Sequence, residues 1–140
     1  MDETVRARIA AAFAADRDGD ERAAIIHYDA AWRLGVPADL RRRFLVGYGS
    51  TLRNVGRADD AVGILSDAVI ADPEYPALGA FLALALLDAG HPRLAVATML
   101  GVALDLAQAA AAGVVDPLDG YQRALAEVQV LLAAQTMPAL

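Results

Sequence analysis

The sequence predicts an all-α fold, and three observations carry that prediction. Apolar residues recur at helical spacing along the whole chain, and no segment keeps the strict alternation of a half-buried strand. Alanine, the strongest helix former, supplies 33 of the 140 residues. Glycine and proline punctuation then divides the chain into about seven pieces of helical length.

Taken in order, a first helix over 3–17 ends at Gly19-Asp20, and a second over 21–34 ends at Gly35-Val36-Pro37. A third spans 38–55 and stops at Gly56, and a fourth spans 58–71. Asp72-Pro73 then reads as a cap followed by a proline at the first helical position, which opens a fifth helix over 74–89. Gly90 closes that helix, and His91-Pro92 opens a sixth that runs to about 112, before Gly113. Asp116-Pro117 repeats the cap-and-proline signal and starts a seventh over 117–135. Leu118, Tyr121, Leu125, Val128 and Leu132 give the seventh helix one apolar stripe, expected to dock on the sixth.

Composition excludes several function classes. The chain has no cysteine, which rules out a disulfide scaffold, a zinc ribbon, an iron–sulfur site and a thiol nucleophile. All 12 cations are arginine. Residues 1–57 hold ten arginines against eight acids, whereas residues 58–140 hold Arg93 and Arg123 against ten acids. An acidic half of that size argues against nucleic acid as a partner. The run Arg41-Arg42-Arg43 is read as a solvated helix face.

Two apolar runs, 77–87 and 94–104, reach 11 residues each, with only Thr98 interrupting the second. A spanning helix needs about 20 residues, so both are read as buried helices of a soluble protein with no membrane partner. The acidic start Met1-Asp2-Glu3 lacks the pattern of a signal peptide, and a cytoplasmic location is expected. Arginine without lysine, together with the alanine excess, is what a GC-rich coding sequence produces and points to a bacterial source.

An internal period runs through the chain. Gly56 and Gly90 lie 34 residues apart, as do Ala61 and Ala95, Leu52 and Leu86, and Leu65 and Met99. Asn54-Val55-Gly56-Arg57 maps onto Asp88-Ala89-Gly90-His91. A weaker copy runs through Ala12, Gly19, Ala24, Tyr28 and Ala31. Small residues at Gly49, Ala61 and Ala68 let helices approach, and Leu45, Tyr48, Leu52 and Leu65 fill the spaces between them.

This pattern resembles the tetratricopeptide repeat. The second copy carries it best, in Leu45, Tyr48, Gly49, Leu52, Gly56, Ala61, Ala68 and Pro73. The third reads Leu82, Ala83, Leu86, Gly90, Ala95, Val102 and Ala107, and the first has Pro37 one place late. The resemblance implies a right-handed superhelix of stacked antiparallel helix pairs in a single domain over 1–140. Its repeats fall at about 5–37, 42–75 and 76–112, and the helix over 117–135 is a cap. It also implies a concave face, lined by the first helix of each pair, that binds other proteins. Carried over by register, that face takes Arg6, Ile9, Phe13 and Arg17 from the first helix. It takes Arg43, Val46, Ser50, Arg53 and Asn54 from the third, and Ala77, Ala80, Leu84, Leu87 and Asp88 from the fifth.

No catalytic constellation stands out. His27 and His91 are 64 residues apart and read as a partly buried helix residue and a helix-start residue. Gly47-Tyr48-Gly49-Ser50 falls mid-helix with no lysine after it, so it is not a phosphate loop. Asp59-Asp60 suits the first turn of a helix. Asp16, Asp18 and Asp20 lack the rest of a calcium loop. Trp32 reads as packing against the third helix. No metal, cofactor or enzymatic activity is expected. The sequence therefore reads as a non-catalytic protein-interaction module that takes an acidic or amphipathic peptide or a partner protein, with Arg43, Arg53 and Asn54 as its leading contacts. The alternative is a self-associating structural protein, such as a homodimer, suggested by the apolar surplus and the uneven charge.

Overall fold

The structure, a computed structural model, describes residues 2–136. One local construction recurs along it and sets the hairpins. Gly19, Gly56, Gly90 and Gly113 all take left-handed φ values, between +76° and +89°. At each, the residue after the glycine donates its N–H to a carbonyl five residues back: Asp20 to Ala15, Arg57 to Leu52, His91 to Leu86 and Val114 to Ala109. This is the Schellman closure, which satisfies carbonyls that a helix end leaves open. The repeating glycines of the sequence are thus the points where the chain leaves one helix and turns.

The elements are α1 (Asp2–Arg17), α2 (Glu21–Leu34), a 3-10 turn (Ala38–Leu40), α3 (Arg41–Asn54), α4 (Ala58–Ala71), α5 (Pro76–Asp88), α6 (Pro92–Ala111) and α7 (Gln122–Thr136). Asp20 caps α2 by accepting the Ala23 N–H at 3.1 Å. The pairs α1–α2, α3–α4 and α5–α6 form hairpins. Each second helix packs on the first helix of the next hairpin (α2 on α3, α4 on α5), and α1, α3 and α5 lie side by side. No strand occurs among the described residues.

The core follows the small-residue positions of the repeat. Ala24, Ala61, Ala95 and Ala68 are buried, with Leu52 and Leu65 between them. A Cβ added to Gly49 would lie 2.7–2.8 Å from the branched end of Leu65, and one added to Gly79 would lie 2.8 Å from Val102 Cγ2. These glycines set how closely α3 meets α4 and α5 meets α6. Five rings (Phe13, Tyr28, Trp32, Phe44 and Tyr48) pack together at the N-terminal end, with Trp32 stacked on Phe44 of α3 at 6.1 Å.

Four expectations are corrected. The third predicted helix is a 3-10 turn followed by α3. The fifth begins at Pro76, because a residue before proline is pushed out of the α region, and Tyr75 is extended at φ −111°, ψ 92°. Asp72 accordingly ends α4 instead of starting α5. The seventh begins at Gln122, since Asp116, Asp119 and Gly120 all take positive φ and residues 117–121 are held in turns. The apolar run 94–104 is not a buried helix. It lies in α6, where only Ala95 and Val102 are buried, although the run 77–87 in α5 is buried except at Leu87. By length and composition alone, α6 is the one described helix long and apolar enough to cross a membrane.

Substitutions at the close contacts test this packing. Ala61→Leu places a larger side chain in a fully buried position and should cost about 1–3 kcal/mol. Gly63, on the outer side of α4, has open space where a Cβ would sit, so Gly63→Ala should stabilise by about 0.5–1 kcal/mol. Urea denaturation reads both, and an unchanged midpoint for Ala61→Leu would refute the register.

Candidate interaction groove

The face made by α1, α3 and α5 is where the predicted site residues converge, and it is already occupied. The stripe of α7 settles on it. Tyr121, Leu125, Val128 and Leu132 are the half-buried residues of that stretch and pack against the core. The Tyr121 ring meets Phe81 of α5 edge-on at 5.8 Å. Just before it, the Asp119 carboxylate accepts a hydrogen bond from the Tyr75 hydroxyl at 2.5 Å. Burial pushes the Tyr121 and Tyr75 hydroxyls above their ordinary range, with the Asp119 charge adding to both, so both stay protonated. The expected docking on α6 is therefore corrected: Tyr121 meets Phe81 of α5 and borders Phe13 and Arg43, whereas α7 and α6 face each other across a cleft.

That placement leaves three cavities. One of about 590 Å³ separates α7 from α5 and α6 and is walled largely by aliphatic residues, including Ala80, Leu84, Met99, Val102, Leu125 and Ala133. A second of about 700 Å³ lies on the other flank of α7 and brings together Ser50, Arg53, Asn54 and Asp88 with Glu127, Leu131 and Gln135. A third of about 240 Å³ holds Phe13, Asp16, Arg17, Tyr28, Arg43, Gly47 and Tyr121. Gly47 has a local reason there, because a Cβ would fall 2.2 Å from the Tyr28 hydroxyl. That hydroxyl donates to Asp16 at 2.8 Å.

The predicted groove residues divide accordingly. Ser50, Arg53, Asn54 and Asp88 share one cavity, Phe13 and Arg43 share another, and Leu84 is buried on a third. Val46, Ile9 and Ala77 offer no surface: all three lie in the core, on the sides of their helices that meet neighbouring helices. Leu87 is exposed. Several arginines are engaged within the chain. Arg6 makes two hydrogen bonds to Asp39, at 2.9 and 3.1 Å. Arg53 donates to Asp88 at 2.6 Å, and the Arg43 guanidinium sits 4.1 Å from the Phe13 ring centre. The sequence reading missed the α7 stripe as part of this face, although the stripe itself was visible.

Further ties join the helices. Arg42 holds Asp72 through two hydrogen bonds while covering the Tyr75 ring at 4.4 Å. Arg57 joins Asp29 at 2.8 Å and Asp60 at 2.9 Å, and Tyr48 donates to Asp29 at 2.5 Å. Burial pushes the Asp29 carboxyl up, but hydrogen bonds from Arg57 and Tyr48 outweigh it and hold it below the usual carboxylate range. The Arg42 hydrogen bonds hold Asp72 low in the same way. The histidines and the remaining acids have local roles. His27 is half-buried beside Arg8, His91 precedes Pro92 at the start of α6, and Asp59-Asp60 lie in the first turn of α4.

A model of the Tetratrico peptide repeat family matches residues 5–132. No match was found among curated proteins or among solved structures.

The lowered carboxyls predict acid sensitivity. A depressed folded-state pKa contributes stability that is present above the unfolded value of about 3.9 and is lost as pH falls through the folded value. Thermal melts should therefore show Tm dropping below about pH 4, and Arg42→Ala should reduce that drop by removing the tie to Asp72. Identical pH dependence in the variant and the wild type would refute the assignment.

Proposed function

Because the chain belongs to the tetratricopeptide repeat family, we propose that it is a non-catalytic protein-interaction module that takes a peptide or partner protein on the concave face of α1, α3 and α5. The observation that supports this most directly is α7. A helix with one apolar stripe rests on that face and leaves open space on both flanks. Polar side chains at the rim, Ser50, Asn54 and the Arg53–Asp88 pair, suit the polar edge of an amphipathic ligand. Phe13, Arg43 and Leu84 supply apolar and cationic contact farther along. A photo-crosslinking residue at Asn54 should yield a discrete protein adduct in extract of the native host. The same residue at Asp67, exposed on the other side of the array on α4, should not. Adducts at Asp67 and none at Asn54 would move the binding face off the groove.

The exposed face of α6 favours a second reading, self-association. Leu94, Val96, Leu100 and Leu104 are 56–66% exposed on this single helix. Ala97, Leu100, Leu104 and Ala107 follow the 3-4-3 spacing of a helix–helix seam. Apolar surface of this kind usually meets a partner. On this reading light scattering after size exclusion gives a dimer, and Leu100→Glu gives a monomer. A wild-type monomer across a wide concentration range would refute it.

A further inference from the structure

We propose that α7 is a displaceable occupant of the groove and that the incoming partner is an amphipathic helix of the same register with bulkier side chains on its flanks. The proposal rests on the groove being the protein-binding face. Its basis is how incompletely α7 fills the site. Clefts open to solvent, not sealed interior, run along both of its flanks. Here only Tyr121, Leu125, Val128 and Leu132 go down onto the array, and cavities of about 590 and 700 Å³ remain to either side.

Apart from the stripe itself and Leu131, the residues that α7 turns toward those cavities are small or polar. Ala126 and Ala133 border the first, and Ala124 and Gln135 border the second. The anchoring is concentrated before and at the first turn, in the Tyr75–Asp119 hydrogen bond and the Phe81–Tyr121 ring contact. Beyond Tyr121 the helix is held by three aliphatic side chains, each only half-buried. Once the Asp119 and Tyr121 contacts are released, the connection from α6, residues 112–121, is long enough for α7 to swing clear while staying tethered.

The tether also sets what can replace it. Once released, a link of that length presents α7 to its own groove at an effective concentration of about millimolar. A free helix of identical sequence is therefore outcompeted at micromolar concentration. A successful ligand needs contacts that α7 lacks, and large apolar groups opposite Ala80, Leu84 and Val102 would provide them. The stripe Tyr-x3-Leu-x2-Val-x3-Leu fixes the register, and bulk at the positions of Ala126 and Ala133 supplies the advantage.

The absence of cysteine makes the test direct, because introduced cysteines are then the only labelling sites. Asn54→Cys and Glu127→Cys in the full chain place spin labels across one cavity, and double electron–electron resonance reads the distance between them. Two probes are synthetic peptides of residues 116–136, one native and one carrying Ala126→Leu and Ala133→Leu. The expected result is a single short distance in the free chain, converted to longer ones by the substituted peptide. The native peptide should need at least tenfold higher concentration. A distance unchanged at saturating peptide, or one already long in the free chain, overturns the proposal. So does lengthening that depends only on protein concentration, since that reports exchange of α7 between two copies. Crosslinking at Asn54 with no displacement of α7 would leave the binding-face reading standing and remove this one.

Discussion

Close approach of paired helices is the constraint on which the rest of this structure depends. Gly49 lets Leu65 reach the backbone of α3, and Gly79 does the same for Val102 on α5. With those distances set, Ala61 and Ala95 are buried in the core, and α1, α3 and α5 come to lie side by side. A methyl group in the wrong place would spread the pairs and dissolve the shared face. The shared face of α1, α3 and α5 is therefore a by-product of packing.

Electrostatics then ties one repeat to the next. Arg6 reaches Asp39, Arg42 reaches Asp72 and Arg53 reaches Asp88, separations of 30 to 35 residues that track the repeat length. Exposed ion pairs of this kind contribute little individually, of the order of 0–1 kcal/mol. Their larger effect is on position. Arg53 is mostly covered and holds Asp88 at the rim of the groove, so its charge is already partly answered before any ligand arrives. An acidic ligand would have to compete with Asp88 for it.

The turns and hairpins were legible in the sequence because their causes are local. A glycine at a Schellman closure and an alanine at a contact point can be read within a few residues. Where two prolines stood close together, at Pro73 and Pro76, local signals were ambiguous, and the start of α5 was decided by the extended conformation of Tyr75. The groove was legible only in part. Ser50, Arg53, Asn54 and Asp88 did converge, but the partners of the arginines lie a repeat away, and spacing alone does not reveal such pairs. The stripe on α7 announced that one side would be covered, but the sixth helix, the nearest in sequence, was the wrong partner to expect. Exposure on α6 was hidden for a related reason: an apolar run reads as core whether or not anything is there to cover it.

One feature of α5 bears on how the chain is made. Ten consecutive residues, from Ala77 to Leu86, are buried, so this helix has no polar side to turn to water. An array of independent repeats can assemble one unit at a time from either end, but this one cannot stop after α5. During synthesis the α3–α4 hairpin emerges first and offers a surface for one side of the new helix. The other sides stay wet until α6 and α7 follow. Until then α5 presents the apolar surface that makes partly folded chains aggregate. The C-terminal helices thus shield a nascent chain before they serve a finished one, and anything that draws α7 away returns part of α5 to that unprotected condition.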